Sequence, residues 1–304
     1  MSTDLERQNA FHADLVKHKL IVPSATQGVF GRGAVFEDVL GHFDQLVTRT
    51  AKDDGAEVYH FPPVISRSTM EKSEFLDSFP QLAGSVFSFT GTDKQHKELI
   101  GRLHGHENWS DLQSMTDVCL TPAACYPIYP SFTGTLAPKG RLVDMTSYCF
   151  RHEPSPDPAR MQAFRVREFV RVGEPETVID WRNMWLDRGV AILQGLGLDA
   201  KPDVASDPFF GRGGRLLAVN QKEQKLKFEV LVPITSDEKP TAVCSFNYHQ
   251  EHFGALFDIK TSDGAVAQTA CLGFGMERVT MALFKTHGFD PKSWPKPVRE
   301  KLWP

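Results

Sequence analysis

Three prolines fall within five residues, Pro154-Ser155-Pro156-Asp157-Pro158, between two stretches of alternating apolar residues at 143–151 and 164–173. Each proline fixes its own φ and drives the residue before it out of the helical region. The segment is therefore a stiff loop, and the stretches on either side are strands that it joins. This hairpin divides the chain by texture. Before it the pattern is helical: 3–19 carries Leu5, Phe11, Leu15 and Val16 along one face, and 34–51 repeats Val35, Phe36, Val39, Leu40, Phe43, Leu46 and Val47 at helical spacing. Asp53-Asp54-Gly55 ends the second helix, 57–61 reads as a strand halted by Pro62-Pro63, and 93–111 is polar and His-rich, a surface helix and loop. After the hairpin, a helix is expected over 181–196, strands over 215–220, 225–234, 242–248 and 254–260, and a closing helix over 275–287. Helices followed by a run of strands predict an α+β fold with an antiparallel sheet. The alternation of a doubly wound chain is missing, as are GxGxxG and GxxxxGK[ST].

Composition narrows the function. With 304 residues, 41% of them apolar, the chain can bury a substantial core, and we expect one catalytic domain over 1–304 with 1–30 as an N-terminal helical extension. There is no apolar run long enough for a membrane span, and the start, Met1-Ser2-Thr3-Asp4-Leu5-Glu6-Arg7, is polar and acidic where a signal peptide is basic and then apolar. A cytoplasmic protein is expected. Thirty-four Lys and Arg against 38 Asp and Glu leave a net charge of −4, without the basic excess that supplies non-specific affinity for long nucleic acids. The five cysteines are odd in number and show no CxxC spacing, which argues against a disulfide framework. Any metal site must draw on distant positions; otherwise the thiols are small buried apolar groups.

Two constellations carry potential chemistry. In Phe150-Arg151-His152-Glu153 and the return strand Phe164-Arg165-Val166-Arg167-Glu168, alternation puts Arg151 with Glu153, and Phe164 with Val166 and Glu168. A guanidinium forks onto two phosphate oxygens and an aromatic ring can floor a purine, but the same residues also suit a surface hairpin with ion pairs. In Gly273-Phe274-Gly275-Met276-Glu277-Arg278, two glycines let the backbone approach a ligand at a helix start, with Arg278 in the first turn.

Together these segments resemble class II aminoacyl-tRNA synthetases. The hairpin is similar to their second signature, 273–279 to their third, and 33–63 to the first, which in that family forms a dimer interface. The resemblance spans residues 30 to 290 and is nearest to the atypical zinc-dependent seryl-tRNA synthetases, and within them to short homologues, the amino acid:[carrier protein] ligases, which lack a tRNA-binding domain. It implies an antiparallel sheet flanked by helices and a zinc ion held by Cys125, Glu168 and Cys271. The fourth zinc position is left for the substrate amino group, which Glu168 also meets. Cys119 and Cys149 keep a structural reading. The implied reaction joins a small amino acid, glycine or alanine, to ATP as an adenylate, with pyrophosphate and then AMP as products. In it Arg151 clamps the α-phosphate, Arg278 takes the far phosphate, Glu153, Arg160 and Met161 meet the adenine edge, and Phe164 meets its face. Lys227, Ala242, Cys244 and Ser245 complete the ATP pocket, and Mg2+ accompanies the triphosphate, with Glu229 the nearest acidic candidate. The resemblance implies that the acceptor is the phosphopantetheine thiol of a carrier protein, for which Arg212 and Arg215 or Lys94 and Lys97 could supply charge, and that the chain is a homodimer that uses no tRNA. Two alternatives remain: a truncated seryl-type tRNA synthetase, for which 1–30 is too short a tRNA-binding appendage, and a non-catalytic regulatory subunit, which would lack one of Arg151, Glu153 and Arg278.

Overall fold

The computed structural model describes residues 3–304; Met1 and Ser2, part of the polar opening, lie outside the described residues. Seven strands form the central sheet in the order Lys201–Val204, Lys227–Val232, Thr241–Gln250, Gln268–Gly275, Ala163–Gly173, Arg141–Phe150, Glu57–His60. Every neighbouring pair is antiparallel except the last, where Glu57–His60 runs parallel to Arg141–Phe150. The α+β expectation holds, with one parallel edge.

Helices pack one face of this sheet. Ala34–Ala51 buries Phe36, Val39, Leu40, Phe43, Val47 and Ala51, the i, i+3, i+4, i+7 set that its pattern requires. Met276–His287 and Pro175–Gly195 join it over a core of Phe169, Trp185, Phe246, Leu272 and Phe274. The helix Asp4–Lys17, capped by Thr3, adds Phe11 and Leu15 to the same core. The opposite sheet face meets the segment 124–136 and an aromatic group around Phe253, and leaves a cavity between them. A second, three-stranded sheet has the order Val64–Ser66, Ser114–Leu120, Ser85–Ser88, and the helix Asp93–His104 lies in the connection between Ser85–Ser88 and Ser114–Leu120. No helix among the described residues is long and apolar enough to cross a membrane.

Two expected strands fail, one strand is unexpected and one helix starts early. Residues 215–220 are not a strand but lie inside the helix Gly211–Glu223. The run Leu216, Leu217, Val219 reads as a strand, yet these side chains are exposed, and the buried position is Gly214, where a Cβ would stand 2.7 Å from the Phe209 carbonyl carbon. Residues 254–260 form a short helix, His252–Leu256, and only Ile259–Lys260 is a strand, paired with Gly134–Thr135. The strand Gln268–Gly275 is absent from the sequence reading because its two glycines suggest a loop. The helix expected from 181 begins at Pro175, where a missing N–H costs nothing.

Candidate active site

Alternation along three adjacent strands builds the cavity. On Ala163–Gly173, Phe164, Val166 and Glu168 face it; on Gln268–Gly275, Cys271, Gly273 and Gly275 do, while Leu272 and Phe274 point into the helical core. Register places Gly273 opposite both Glu168 and Ser245, and Cys271 opposite Asn247. The cavity measures about 520 Å³.

At one end the segment Thr121–Cys125 lies across the sheet and brings Cys125 to Glu168 and Cys271. One ligand atom from each lies within 4.8 Å of the others, and all three residues are buried. Burial pushes the Cys125 thiol well above its usual range, with the neighbouring Cys271 and Glu168 adding to it. Burial likewise raises the Glu168 carboxyl. For Cys271 the hydrogen bond from Cys125 favours the thiolate, but burial and the Glu168 charge outweigh it and the thiol is raised. Two soft sulfurs and a carboxylate therefore converge, each resisting ionisation. The donor set fits a tetrahedral zinc with one open position, because a divalent cation supplies the charge these groups lack.

Cations gather at the other end. Arg278 donates through Nε to the Ala159 carbonyl at 2.8 Å and through Nη1 to the Ala242 carbonyl at 3.0 Å. Burial, then the charges of Arg160 and Arg151, bring its pKa down to about 10. Arg151 donates Nε to the Pro122 carbonyl at 3.2 Å, tying the arginine end to the segment that carries Cys125, and its guanidinium lies 5.8 Å from the centre of the Phe164 ring. Clustered guanidiniums facing a cavity suit a polyanion.

Of the residues expected here, Arg151, Glu153, Phe164, Glu168, Lys227, Glu229, Ala242, Cys244, Ser245, Cys271, Arg278 and Cys125 line this one cavity. Arg160 stands outside the lining, about half exposed, paired to Glu153 at 3.3 Å. Met161 is buried in the core, its sulfur 3.8 Å from Arg32 Nη2, and does not reach the cavity. Lys227 is held between Asp207 at 2.6 Å and Glu229 at 3.0 Å, so Glu229 is engaged by an ammonium. Arg212 and Arg215 lie on the helix whose Leu217, Asn220 and Gln221 border the cavity, whereas the helix with Lys94 and Lys97 contributes nothing to it. Cys119 and Cys149 are buried and free.

Sequence reasoning missed Asp207, Asn247 and His249. Asn247 Nδ2 donates to Cys271 Sγ at 3.4 Å, and His249 Nε2 lies 3.5 Å from the same sulfur. These are isolated polar residues in a strand and a loop, with no spacing that marks them.

No family model matches the chain. The fold is that of a class II aminoacyl-tRNA synthetase core: it superposes on the seryl-tRNA synthetase of M. kandleri, solved in complex with A. aeolicus tRNASec, with a TM-score of 0.82 at 23% identity over 96% of this chain and 60% of that one. The type-2 serine–tRNA ligase of Methanopyrus kandleri is 29% identical over 85% of this chain, which spans about half of its length (53%). An amino acid–[acyl-carrier-protein] ligase of Bradyrhizobium diazoefficiens is 43% identical over 99% of this chain and 93% of its own length. The chain belongs to the amino acid–[acyl-carrier-protein] ligase family and is a ligase.

Proposed function

We propose that the chain activates glycine or alanine with ATP and passes the aminoacyl group to the phosphopantetheine thiol of a carrier protein. The observation that carries this is the shared cavity: a Cys125–Glu168–Cys271 cluster at one end and Arg151 with Arg278 at the other. In the first step the amino-acid carboxylate oxygen attacks the α-phosphorus, the bond to the β-phosphate oxygen breaks, and pyrophosphate leaves. The protein's part is positioning and charge compensation. Arg151 takes the α-phosphate and Arg278 the far phosphate. Phe164 floors the adenine, Glu153 meets the adenine edge with Arg160 paired to it from outside the cavity, and Lys227 and the strand residues Ala242, Cys244 and Ser245 close the pocket. Magnesium travels with the triphosphate. In the second step the thiol sulfur attacks the acyl carbon, a thioester forms, AMP leaves, and the thiol proton passes to solvent.

Zinc, when bound by Cys125, Glu168 and Cys271, supplies a Lewis-acid anchor for an unprotonated amino group. Stacked and edge-on rings of Tyr126, Tyr129 and Phe253, at 4.2 to 5.5 Å, fill the space behind that cluster and favour a substrate with little or no side chain. The exposed Leu216, Leu217 and Val219 beside Arg212 and Arg215 offer an acidic carrier both apolar contact and charge. A homodimer through 33–63 is supported by the sheet edge Glu57–His60, where Val58 is 65% exposed. Five free thiols suit the cytoplasm.

The test is ATP–pyrophosphate exchange with glycine, alanine and serine on protein of measured zinc content, followed by transfer to a phosphopantetheinylated carrier or to tRNA. Exchange with one small amino acid, near-stoichiometric zinc, loss of both in Cys125→Ala and transfer to the carrier are expected. Zinc-loaded protein that exchanges with none of the three, or that charges tRNA instead, refutes the proposal.

A further inference from the structure

Cys271 is the ligand of the cluster with the most elaborate surroundings, and the backbone is distorted to provide them. Asn247 faces Cys271 directly across the antiparallel pair of strands. Were the register kept, His249 would face Thr269. Instead it slips between Tyr248 and Gln250, so that Gln250 pairs with Thr269 and His249 becomes the extra residue of a bulge. Gln250 adopts φ +54°, a left-handed conformation that a non-glycine residue takes at a cost. Bulges of this kind re-aim a side chain beside a functional site.

The re-aimed ring is fixed at three points. Its Nε2 lies 3.5 Å from Cys271 Sγ, its Nδ1 lies 3.0 Å from the Thr269 hydroxyl, and it meets Phe253 edge-on at 4.9 Å. With the hydroxyl of the fully buried Thr269 donating to Nδ1, the imidazole proton sits on Nε2, facing the sulfur. With the Asn247 amide at 3.4 Å, two neutral N–H groups then serve one sulfur.

We propose that His249 is a positioning residue for the metal site: the bulge and Thr269 fix it as an Nε2–H donor that holds Cys271 in its ligating orientation and spreads the charge of its thiolate. Two thiolates and a carboxylate around one divalent cation leave an excess negative charge in a buried place. Neutral donors to the sulfur relieve that excess without adding a competing cation. The inference rests on the zinc reading above, and it concerns binding of the metal, not the chemistry of the loaded enzyme.

The experiment is competition for zinc between the full-length protein and a chromophoric chelator, backed by the sulfur-to-cobalt charge-transfer band of Co2+-substituted protein. Outer donors to a ligand are worth about 10- to 100-fold in metal affinity. His249→Ala is expected to lose affinity on that scale and to shift the cobalt band, while His249→Gln, whose amide N–H takes the place of Nε2–H, recovers much of both. Thr269→Val, which leaves the ring in place and frees its tautomer, is expected to move the band in the same direction; it also guards against an Ala variant that folds poorly. Wild-type affinity and an unmoved band in folded His249→Ala would overturn the inference while leaving the metal reading intact. A wild-type protein that binds neither zinc nor cobalt would overturn the metal reading itself, and this inference with it.

Discussion

Glu277 is the residue whose removal tests most directly how the two signature segments are held together. It is fully buried in the first turn of the helix Met276–His287, one position before Arg278. Its carboxylate accepts from the Arg165 backbone N–H at 2.7 Å and from Arg165 Nε at 2.8 Å, and it pairs with Arg32 Nε at 3.2 Å. Breaking a buried pair by deleting one partner costs about 3–5 kcal/mol. The structure places Glu277→Ala at the lower end of that range. Arg165 keeps two bonds of 2.7 Å to Glu37, so its charge remains paired. What is left uncompensated is a part-buried backbone N–H, about 1–3 kcal/mol, and Arg32, which retains its bonds to the Ala163 carbonyl at 2.9 Å and the Met161 sulfur and its place over the Phe30 ring. A loss of about 3 kcal/mol is expected for the alanine variant, and about half of that for Glu277→Gln, whose carbonyl still accepts from the Arg165 N–H. Equilibrium urea unfolding at unchanged slope reads both values. A loss below about 1 kcal/mol in Glu277→Ala, or an equal loss in the two variants, would show that the buried charge is not what joins these segments.

The remaining predictions concern the cations of the cavity. Arg278→Ala is expected to slow ATP–pyrophosphate exchange by about 10²–10³-fold, and Arg278→Lys to restore little, since an ammonium cannot span the Ala159 and Ala242 carbonyls while offering a fork to phosphate; an alanine variant within tenfold of wild type would remove Arg278 from the phosphate site. For Asp207, burial works against ionisation but the Lys227 ammonium outweighs it and holds the carboxyl below its ordinary value. A depressed carboxylate contributes stability that is complete above its unfolded pKa and is lost as pH falls through the folded one. The stability gap between wild type and Asp207→Asn should therefore be full near about pH 7 and close as pH falls below about 4; a gap that stays constant across that range would count against the ion pair.

The proline hairpin, the amphipathic helix Ala34–Ala51 and the glycine-flanked start of Met276–His287 were legible in the sequence because each is dictated locally, by fixed φ, by periodicity or by freedom from a Cβ. So were the cavity-facing positions of the hairpin, since alternation along a strand is a property of the backbone. Met161 marks the limit of that logic: it lies one residue from Arg160, in the loop where alternation no longer applies, and it turns into the core. The helix Gly211–Glu223 marks another, because its apolar side chains point to solvent and so carry no periodic sign of burial.

The Cys125–Glu168–Cys271 cluster is read from resemblance, and chain spacing alone cannot predict it: Cys125 and Cys271 are far apart in the sequence and meet because one lies on a segment packed against the sheet face and the other on a central strand. Asn247, His249 and Asp207 were invisible until the strands were paired. The sequence determines which residues can be helical, extended or kinked, and which face of a strand each side chain takes, since these follow from bonds to near neighbours. Register, the bulge at His249 and the meeting of Asp207 with Lys227 belong to the tertiary structure alone, because each is settled by packing and hydrogen bonding between segments that have no local reason to find one another.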